Sequence, residues 1–508
     1  MVPPLHADVV ARWQDAIGAA HVILDDPARV RAATTTFATD AVVLAILRPA
    51  DRAQVQICVR IAHEHHVPLH VISGGRNWGY GSRAPARAAA ILDLGRLDRI
   101  VDFDERLAYV TVEPGVTFGQ LASFLRECRA RVFASVTGGP AAGSVVANAL
   151  ERGDGSGPRG DRFAHVCGLE VVLPTGECVH TGFARFAGNS SAPISRWGVG
   201  ASLDGLFSQS GLGIVTRMTV WLTPYPAHFQ LAAFTIDDEL QLPAIVDALR
   251  CLRLSGVATT TVPLWNDIKA LALVTRYPWE EAGGVTPLPP QLRATLRQTA
   301  NLGRWNGTVS LYGASRAHGA ALRDVVADAL APTARIEFHE GPEDPLSVEP
   351  DVCGPGLGVP HDRNVASMYW RKRCAVGDDP DLDRCGFLWL SHSMPFLGGA
   401  ASDVSRHVEA ELTAAGFEPS LALLGVTERA LSLVVSLAYD RDVAGEDERA
   451  RACHDRLFGQ LVDRGYPPFR GGIQSHSLVP AGDVATARFV ESLRTTIDPH
   501  DVLSLRRS

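Results

Sequence analysis

Lysine is nearly missing from this chain. Lys269 and Lys372 are the only two in 508 residues, and arginine carries the positive charge. We read that as a compositional bias rather than a mechanism. Long hydrophobic runs are also missing: none reaches the ~20 residues of a membrane-spanning helix. The start, Met1-Val-Pro-Pro-Leu-His-Ala-Asp8, lacks the basic patch and apolar stretch of a secretory signal. A cytoplasmic protein with no membrane partner is therefore expected. The formal net charge of −8 supplies no basic surface for nucleic acid. The nine cysteines include no CxxC pair, and an odd count in so long a chain argues against a disulfide framework. No zinc-type spacing is present either. His63, His65, His66 and His70 cluster, but a helix end separates His66 from His70 and no Cys or carboxylate set accompanies them. We expect no metal. GxxxxGK[ST] is absent, and Gly75-Arg-Asn-Trp-Gly79 does not reproduce GxGxxG, so Walker-type and dinucleotide fingerprints fit poorly.

What is present is a soluble-type composition, 46% apolar and 20% charged, in a chain too long for one core. Two or three domains are expected. The most informative stretch is Val71-Ile-Ser-Gly-Gly-Arg-Asn-Trp-Gly-Tyr-Gly-Ser82. Its glycines can take conformations closed to other residues, and consecutive N–H groups can then turn toward one anion, such as a pyrophosphate. On its own the loop serves equally well as a tight turn between strands.

Apolar periodicity predicts helices over 8–22, 53–66 and 117–128 and strands over 41–46, 68–73, 89–93, 97–103 and 109–112. A second small-residue loop, Thr137–Ser144, leads into Val145–Leu150. Strands over 167–173 and 177–181 form a hairpin, and an apolar strand over 213–222 ends at Thr223-Pro-Tyr-Pro226, the first boundary. Beyond it strands alternate with longer helices: 229–236, 242–252, 308–312, 320–330, 335–340, 387–392, 404–415, 431–439 and 448–464. Residues 340–385, rich in Pro, Gly and Asp, read as a long loop, and 489–497 as a last helix.

Six further segments follow the glycine loop in order: Val112-Glu-Pro-Gly-Val-Thr-Phe118, Gly143-Ser-Val-Val-Ala-Asn-Ala-Leu-Glu-Arg-Gly153, Gly168-Leu-Glu-Val-Val-Leu-Pro-Thr-Gly176, Asp204-Gly-Leu-Phe-Ser-Gln-Ser-Gly-Leu-Gly-Ile-Val-Thr216, Leu302-Gly-Arg-Trp-Asn306 and Ile497-Asp-Pro-His-Asp-Val-Leu503. As a set they resemble the vanillyl-alcohol oxidase / p-cresol methylhydroxylase family of flavoenzymes, nearest its 4-phenol-oxidising branch. The resemblance spans nearly the whole chain. It implies an α+β fold with a two-part FAD-binding domain, residues 1–226 completed by 456–508, and an α+β cap domain over 227–455. It implies FAD held by Ser73, Gly74, Gly75, Arg76, Asn77 and Trp78 on one side and Gly138, Gly139, Gly143 and Ser144 on the other. Asn148, Glu151, Gly153, Asp161, Ile214, Val215 and Arg507 are further cofactor-side positions. For each of these the alternative is ordinary turn or core packing.

The departures from the family bear on chemistry. The cap strand position that elsewhere links FAD covalently falls at Ser432 or Leu433, neither able to form the bond, so FAD is expected to be non-covalent. Of the family's phenolate-binding set, Tyr80 and Arg470 remain, while Phe469 and Ser156 replace tyrosines and Gly139 stands where an acid would face flavin N5. Tyr80 and Arg470 could still hold an anionic oxygen, or could serve in packing and ion pairing. His392, in Trp389-Leu-Ser-His-Ser393, falls on an apolar cap strand where this family lines its cavity; it is a candidate base, although a lone histidine on an apolar strand is more often a satisfied core residue. The expectation is an FAD-dependent oxidoreductase taking hydride from an activated C–H of a small molecule other than a simple 4-alkylphenol. O2 is the expected acceptor, with a protein partner as the alternative, and a homodimer built through the cap is typical of relatives. A non-redox flavin-containing cyclase or scaffold is the other class left open.

Overall fold

The computed structural model describes residues 5–348, 353–480 and 482–503. Arg507 lies outside them. The first helix, Ala7–Ile17, buries Val9, Trp13 and Ile17 and stops at Gly18, whose φ of 87° only glycine takes readily. It is shorter than the expected 8–22, because the chain then turns through Ala19–His21 into a two-residue strand, Val22–Ile23. That strand edges a four-stranded sheet in the order Val22–Ile23, Val43–Leu47, Ala89–Asp93, Leu69–Ile72, the last three mutually parallel. The helix Arg52–Glu64 makes the crossover, capped by Asp51, whose carboxylate accepts from the Gln54 N–H at 2.9 Å. Of the histidine cluster, His63 and His66 meet His500 edge-on at this helix end.

A second sheet of five antiparallel strands follows: Ile100–Asp104, Tyr109–Val112, Ile214–Trp221, Val166–Val172 and Cys178–His180. The cap is a seven-stranded antiparallel sheet, in the order Arg335–Glu340, His228–Ile236, Trp305–Gly313, Val262–Asn266, Ser420–Gly425, Ala430–Asp440, Cys385–Pro395. The strand Val262–Asn266 and the helices Asp267–Val274 and Pro290–Thr299 fall in a stretch the sequence pattern left blank, and the expected loop 340–385 contains a short helix, Arg363–Met368. Late in the chain the backbone returns to the first sheet. The Leu69 N–H donates to the Val502 carbonyl at 2.7 Å, Leu503 bridges Leu69, and both Val502 and Leu503 join the core beneath.

Alternation along the cap strands decides what faces the site. Side chains of successive residues point to opposite faces. Leu388, Leu390, Leu421, Leu423, Leu431, Leu433 and Val435 belong to the core that packs the helices Leu242–Leu254, Gly398–Ala414 and Glu446–Asp463. Leu231, Pro263, Trp265, Thr308, Ser310, Trp389, Leu424 and Val434 face the other way, into a cavity shared with the two N-terminal sheets.

Candidate active site

That cavity has a volume of about 870 Å³ and runs from Leu503 and His70 at one end to Arg470 at the other. It is large enough for a dinucleotide cofactor with a substrate beside it.

One wall is the glycine loop. Gly74, Gly75, Gly79 and Gly81 all have positive φ, between 64° and 116°. Gly79 is required for a second reason: a Cβ there would lie 2.4 Å from the Trp389 Cδ1. Among the described residues, the backbone N–H groups of 74–78 donate to no protein acceptor, although Gly75 and Trp78 are buried. Buried N–H groups are nearly always paired, so a run of them along a cavity is a site for an external acceptor of the phosphate type. Ser73, Gly75, Arg76, Asn77 and Trp78 line the cavity. Gly74 is exposed and shapes the turn instead.

The facing wall is the second loop and the short helix it starts. Ser144 caps that helix, its hydroxyl accepting from the Ala147 N–H at 3.0 Å and donating to the Pro114 carbonyl at 2.6 Å. Gly138, Gly139, Gly143, Ser144, Asn148, Glu151 and Gly153 all line the cavity, as do Ile214 and Val215 from the strand Ile214–Trp221. The Asn148 side-chain carbonyl is buried without a partner, a second orphaned polar atom that a bound cofactor would satisfy. From the cap, Asn364 bonds the Gly138 carbonyl and Asp362 accepts from the Ala141 N–H at 2.9 Å, closing this loop down.

Asp161 corrects the sequence reading. It does not line the cavity; it bridges to Asp154 and accepts from the Ala164 N–H, bracing the turn. His392 is a second correction. It falls on the even-numbered face of the strand Cys385–Pro395, with Leu388 and Leu390, and is fully buried against Phe458, its Nδ1 2.8 Å from the Tyr466 carbonyl. Burial holds its pKa down to about 4. It cannot reach a substrate in the cavity.

At the cap end, Tyr80 is buried with its hydroxyl hydrogen-bonded to Ser391 Oγ. The Arg470 guanidinium lies 4.4 Å from the Tyr80 ring centroid and donates to Asn77 Oδ1 at 2.7 Å. Trp389 stacks with Tyr80, at 6.4 Å and 19°. Burial raises the Tyr80 pKa; Arg470 and Ser391 oppose that, and Asp154 and Glu151 add to it. Phe469, Ser156 and Gly139 line the same space.

Two groups escaped the sequence reading. Asp154, inside the Glu151-Arg-Gly-Asp-Gly155 turn, lines the cavity, and burial raises its pKa to about 6 against the pull of Arg470. Its only sequence signal was a carboxylate between two glycines. Lys269 is buried behind Trp389, its ammonium 4.7 Å from the indole and donating to Ser436 Oγ at 3.0 Å, and burial lowers its pKa to about 8.

A glycine-lined anion cradle under a cap sheet, with a tyrosine and an arginine at the far end, defines an FAD-dependent enzyme with a buried substrate chamber. Comparison with known proteins gives the same class. An FAD binding domain model matches residues 43–182. A 1'-carboxy-chondrochloren decarboxylase of Chondromyces crocatus is 44% identical, over 97% of this chain and 96% of its own. The flavoprotein subunit of a 4-cresol dehydrogenase (hydroxylating) from Pseudomonas putida is 31% identical over 90% of this chain and 85% of its own. The structure of p-cresol methylhydroxylase with substrate bound superposes with a TM-score of 0.91 at 27% identity, covering 98% of this chain and 96% of that one. The chain belongs to the vanillyl-alcohol oxidase / p-cresol methylhydroxylase family, with its PCMH-type two-domain fold and FAD as cofactor.

Proposed function

We propose that this enzyme oxidises a hydroxyphenyl-type carboxylic acid in a step that couples hydride loss to decarboxylation. The observation that carries this reading is the Tyr80–Arg470–Asn77 corner, an anion-binding fork in the same cavity as the flavin cradle. The whole-length similarity to a protein named as a decarboxylase supports the second half.

FAD bound between the two glycine loops supplies a two-electron acceptor at N5. The substrate's hydride leaves the carbon β to the carboxylate; the C–COO bond breaks, its electron pair completes a C=C bond, and CO2 departs. Tyr80 and Arg470 hold the aryl oxygen, with Asn77 fixing the guanidinium. The carboxylate end lies against the apolar cap wall of Pro263, Trp265, Leu424 and Val434. Apolar surroundings penalise the anion and not neutral CO2, which favours its loss. Gly139 then makes chemical sense: the electron demand left by hydride loss is met by the breaking C–C bond, so no acid is needed there to manage water addition.

FAD on this reading is non-covalent, O2 is the acceptor and the enzyme is a homodimer. The test is anaerobic mixing with carboxyl-labelled 3-(4-hydroxyphenyl)propanoate. Flavin bleaching with equimolar labelled CO2 is the expected result. Bleaching without CO2 overturns the decarboxylation and leaves simple hydride abstraction from a benzylic, alcohol or amine carbon. CO2 without bleaching overturns the oxidation.

A further inference from the structure

Arginine carries the positive charge of this chain almost everywhere, and the two lysines that remain are both buried. A buried lysine is normally paired. Lys372 is: it bonds Asp440 at 2.7 Å and also Asp442. Lys269 is not. Among the described residues its ammonium meets no carboxylate, and its one hydrogen bond goes to Ser436 Oγ at 3.0 Å. It also sits in the first turn of the helix Asp267–Val274, where the helix dipole opposes a cation. Burial, the missing counter-ion and the helix terminus all count against an ammonium here.

What it does meet is Trp389. Ser436 and Trp389 are directly opposite each other on neighbouring strands, so they share one face of the cap sheet. Lys269 reaches both, with its Nζ 4.7 Å from the centre of the indole. The indole lines the cavity, donates from Nε1 to the Trp78 carbonyl at 3.1 Å and stacks with Tyr80. Arg470 lies 4.4 Å from the Tyr80 ring. The contacts run unbroken from Lys269 through Trp389 and Tyr80 to Arg470.

We propose that Lys269 is a positioning residue: its ammonium holds the Trp389 indole against Tyr80 and so fixes the corner where Tyr80 and Arg470 receive the substrate's oxygen. A neutral amine has no charge to attract the ring face, so the hold exists only in the protonated state. Between desolvated groups such a contact is worth roughly tenfold in an equilibrium. Among the described residues no other charge sets this state. Asp267, on the same helix, is taken up by Arg293, Arg297 and Arg304. Glu418, just before the strand Ser420–Gly425, accepts from the Tyr277 hydroxyl and the Leu288 N–H. Asp440, on the strand that carries Ser436, is the partner of Lys372, and Arg363, on the short helix Arg363–Met368, is exposed. Burial is what lowers the Lys269 pKa to about 8, so the ammonium is lost just above neutral pH.

This role rests on the reading of Tyr80 and Arg470 as the site of the aryl oxygen, and the test separates the two. With two lysines in the chain, isotope-labelling lysine at Cε gives two NMR signals. The one displaced by the ring current of Trp389 belongs to Lys269. Its pH midpoint is measured in the holoenzyme with and without saturating 4-nitrophenol, a phenolate probe. Because linkage is reciprocal, an anion that binds better to the protonated state must raise that midpoint, by roughly one pH unit for a tenfold contact. Nitrophenol affinity gives a second readout. In the wild type it should decline from about pH 7 to about pH 9 as the ammonium is lost. Lys269→Met should bind about tenfold more weakly near pH 7 and show no such decline. Ser436→Ala, which takes away the ammonium's acceptor, should move the decline to lower pH. Trp389→Leu, which removes the ring between lysine and tyrosine, should abolish it. A midpoint that nitrophenol leaves in place overturns the role of Lys269, as does a decline that survives in Lys269→Met. A decline that survives in Trp389→Leu would mean that the ammonium acts on the anion directly, and overturns positioning. Failure of the wild type to bind nitrophenol at all sinks the aryl-oxygen reading, and the role of Lys269 with it.

Discussion

At the scale of single residues the site rests on Arg470. Its guanidinium touches Asn77 by a hydrogen bond and Tyr80 by its face, two geometries that a lysine ammonium cannot satisfy at once. Arg470→Lys is expected to raise KM for the aryl acid by ~10–100-fold, the equivalent of about 1.5–3 kcal/mol for a charged hydrogen bond, with the flavin spectrum of the resting enzyme unchanged. Steady-state kinetics on the folded variant checks this. Tyr80, Arg470 and the glycines were legible in the sequence because motif spacing carries them. Asp154 was not: a carboxylate in a glycine-rich turn looks like any turn residue until the fold sets it in the cavity wall. His392 misled for the reverse reason. Its segment was read as a cavity strand, but nothing in an apolar run tells which alternate residues face in.

At the scale of elements, the glycine loop meets the cap at its closest around Gly79, beside the hydrogen bonds from Trp389 to the Trp78 carbonyl and between Tyr80 and Ser391. A methyl group on Gly79 would strike the Trp389 indole and sit at a φ of 79°. Gly79→Ala is expected to cost more than about 1 kcal/mol in stability and to weaken FAD binding, measured by thermal melts and by flavin retained on gel filtration. Strand parity also explains the position from which a covalent link would have to come. Leu433 points into the helix-packed core with Leu431 and Val435, while Val434 faces the cavity and has no nucleophile. Precipitating the protein in acid should therefore release all yellow colour to the supernatant; colour left in the pellet would place the attachment on another residue. The strands and helices of the N-terminal half were mostly readable by period. Residues 253–307 were not, because the helix Asp267–Val274 is buried on nearly all sides and shows no polar face.

At the scale of the whole molecule, buried titratable groups pull stability in opposite directions over one pH window. His392 has its pKa lowered from 6.5 to about 4, so the unfolded chain binds its proton first and stability falls as pH drops through that range. Asp381, hydrogen-bonded to Ser82, has its pKa raised from 3.8 to about 7 by burial. There the folded state holds the extra proton, so stability falls as pH rises. The two offset each other between pH 4 and 6.5. Asp381→Asn removes one side, and its melting temperature is expected to climb with pH more steeply than that of the wild type across this range. The difference should amount to a few kcal/mol, at about 1.4 kcal/mol for every tenfold change in proton affinity between the folded and unfolded chain. Parallel slopes in the two proteins would show that Asp381 titrates normally.

The return of the backbone to Leu69 has a consequence in time as well as in space. The strand Leu69–Ile72 leads directly into the phosphate-binding loop, and it gains its outer neighbour from Val502 and Leu503. A ribosome makes the entire cap before it makes that neighbour. The first sheet therefore waits, with one edge open, through the synthesis of more than four hundred residues, and the nascent chain must keep that edge from pairing elsewhere. The sheet that carries the glycine loop is thus begun before the cap and completed after it.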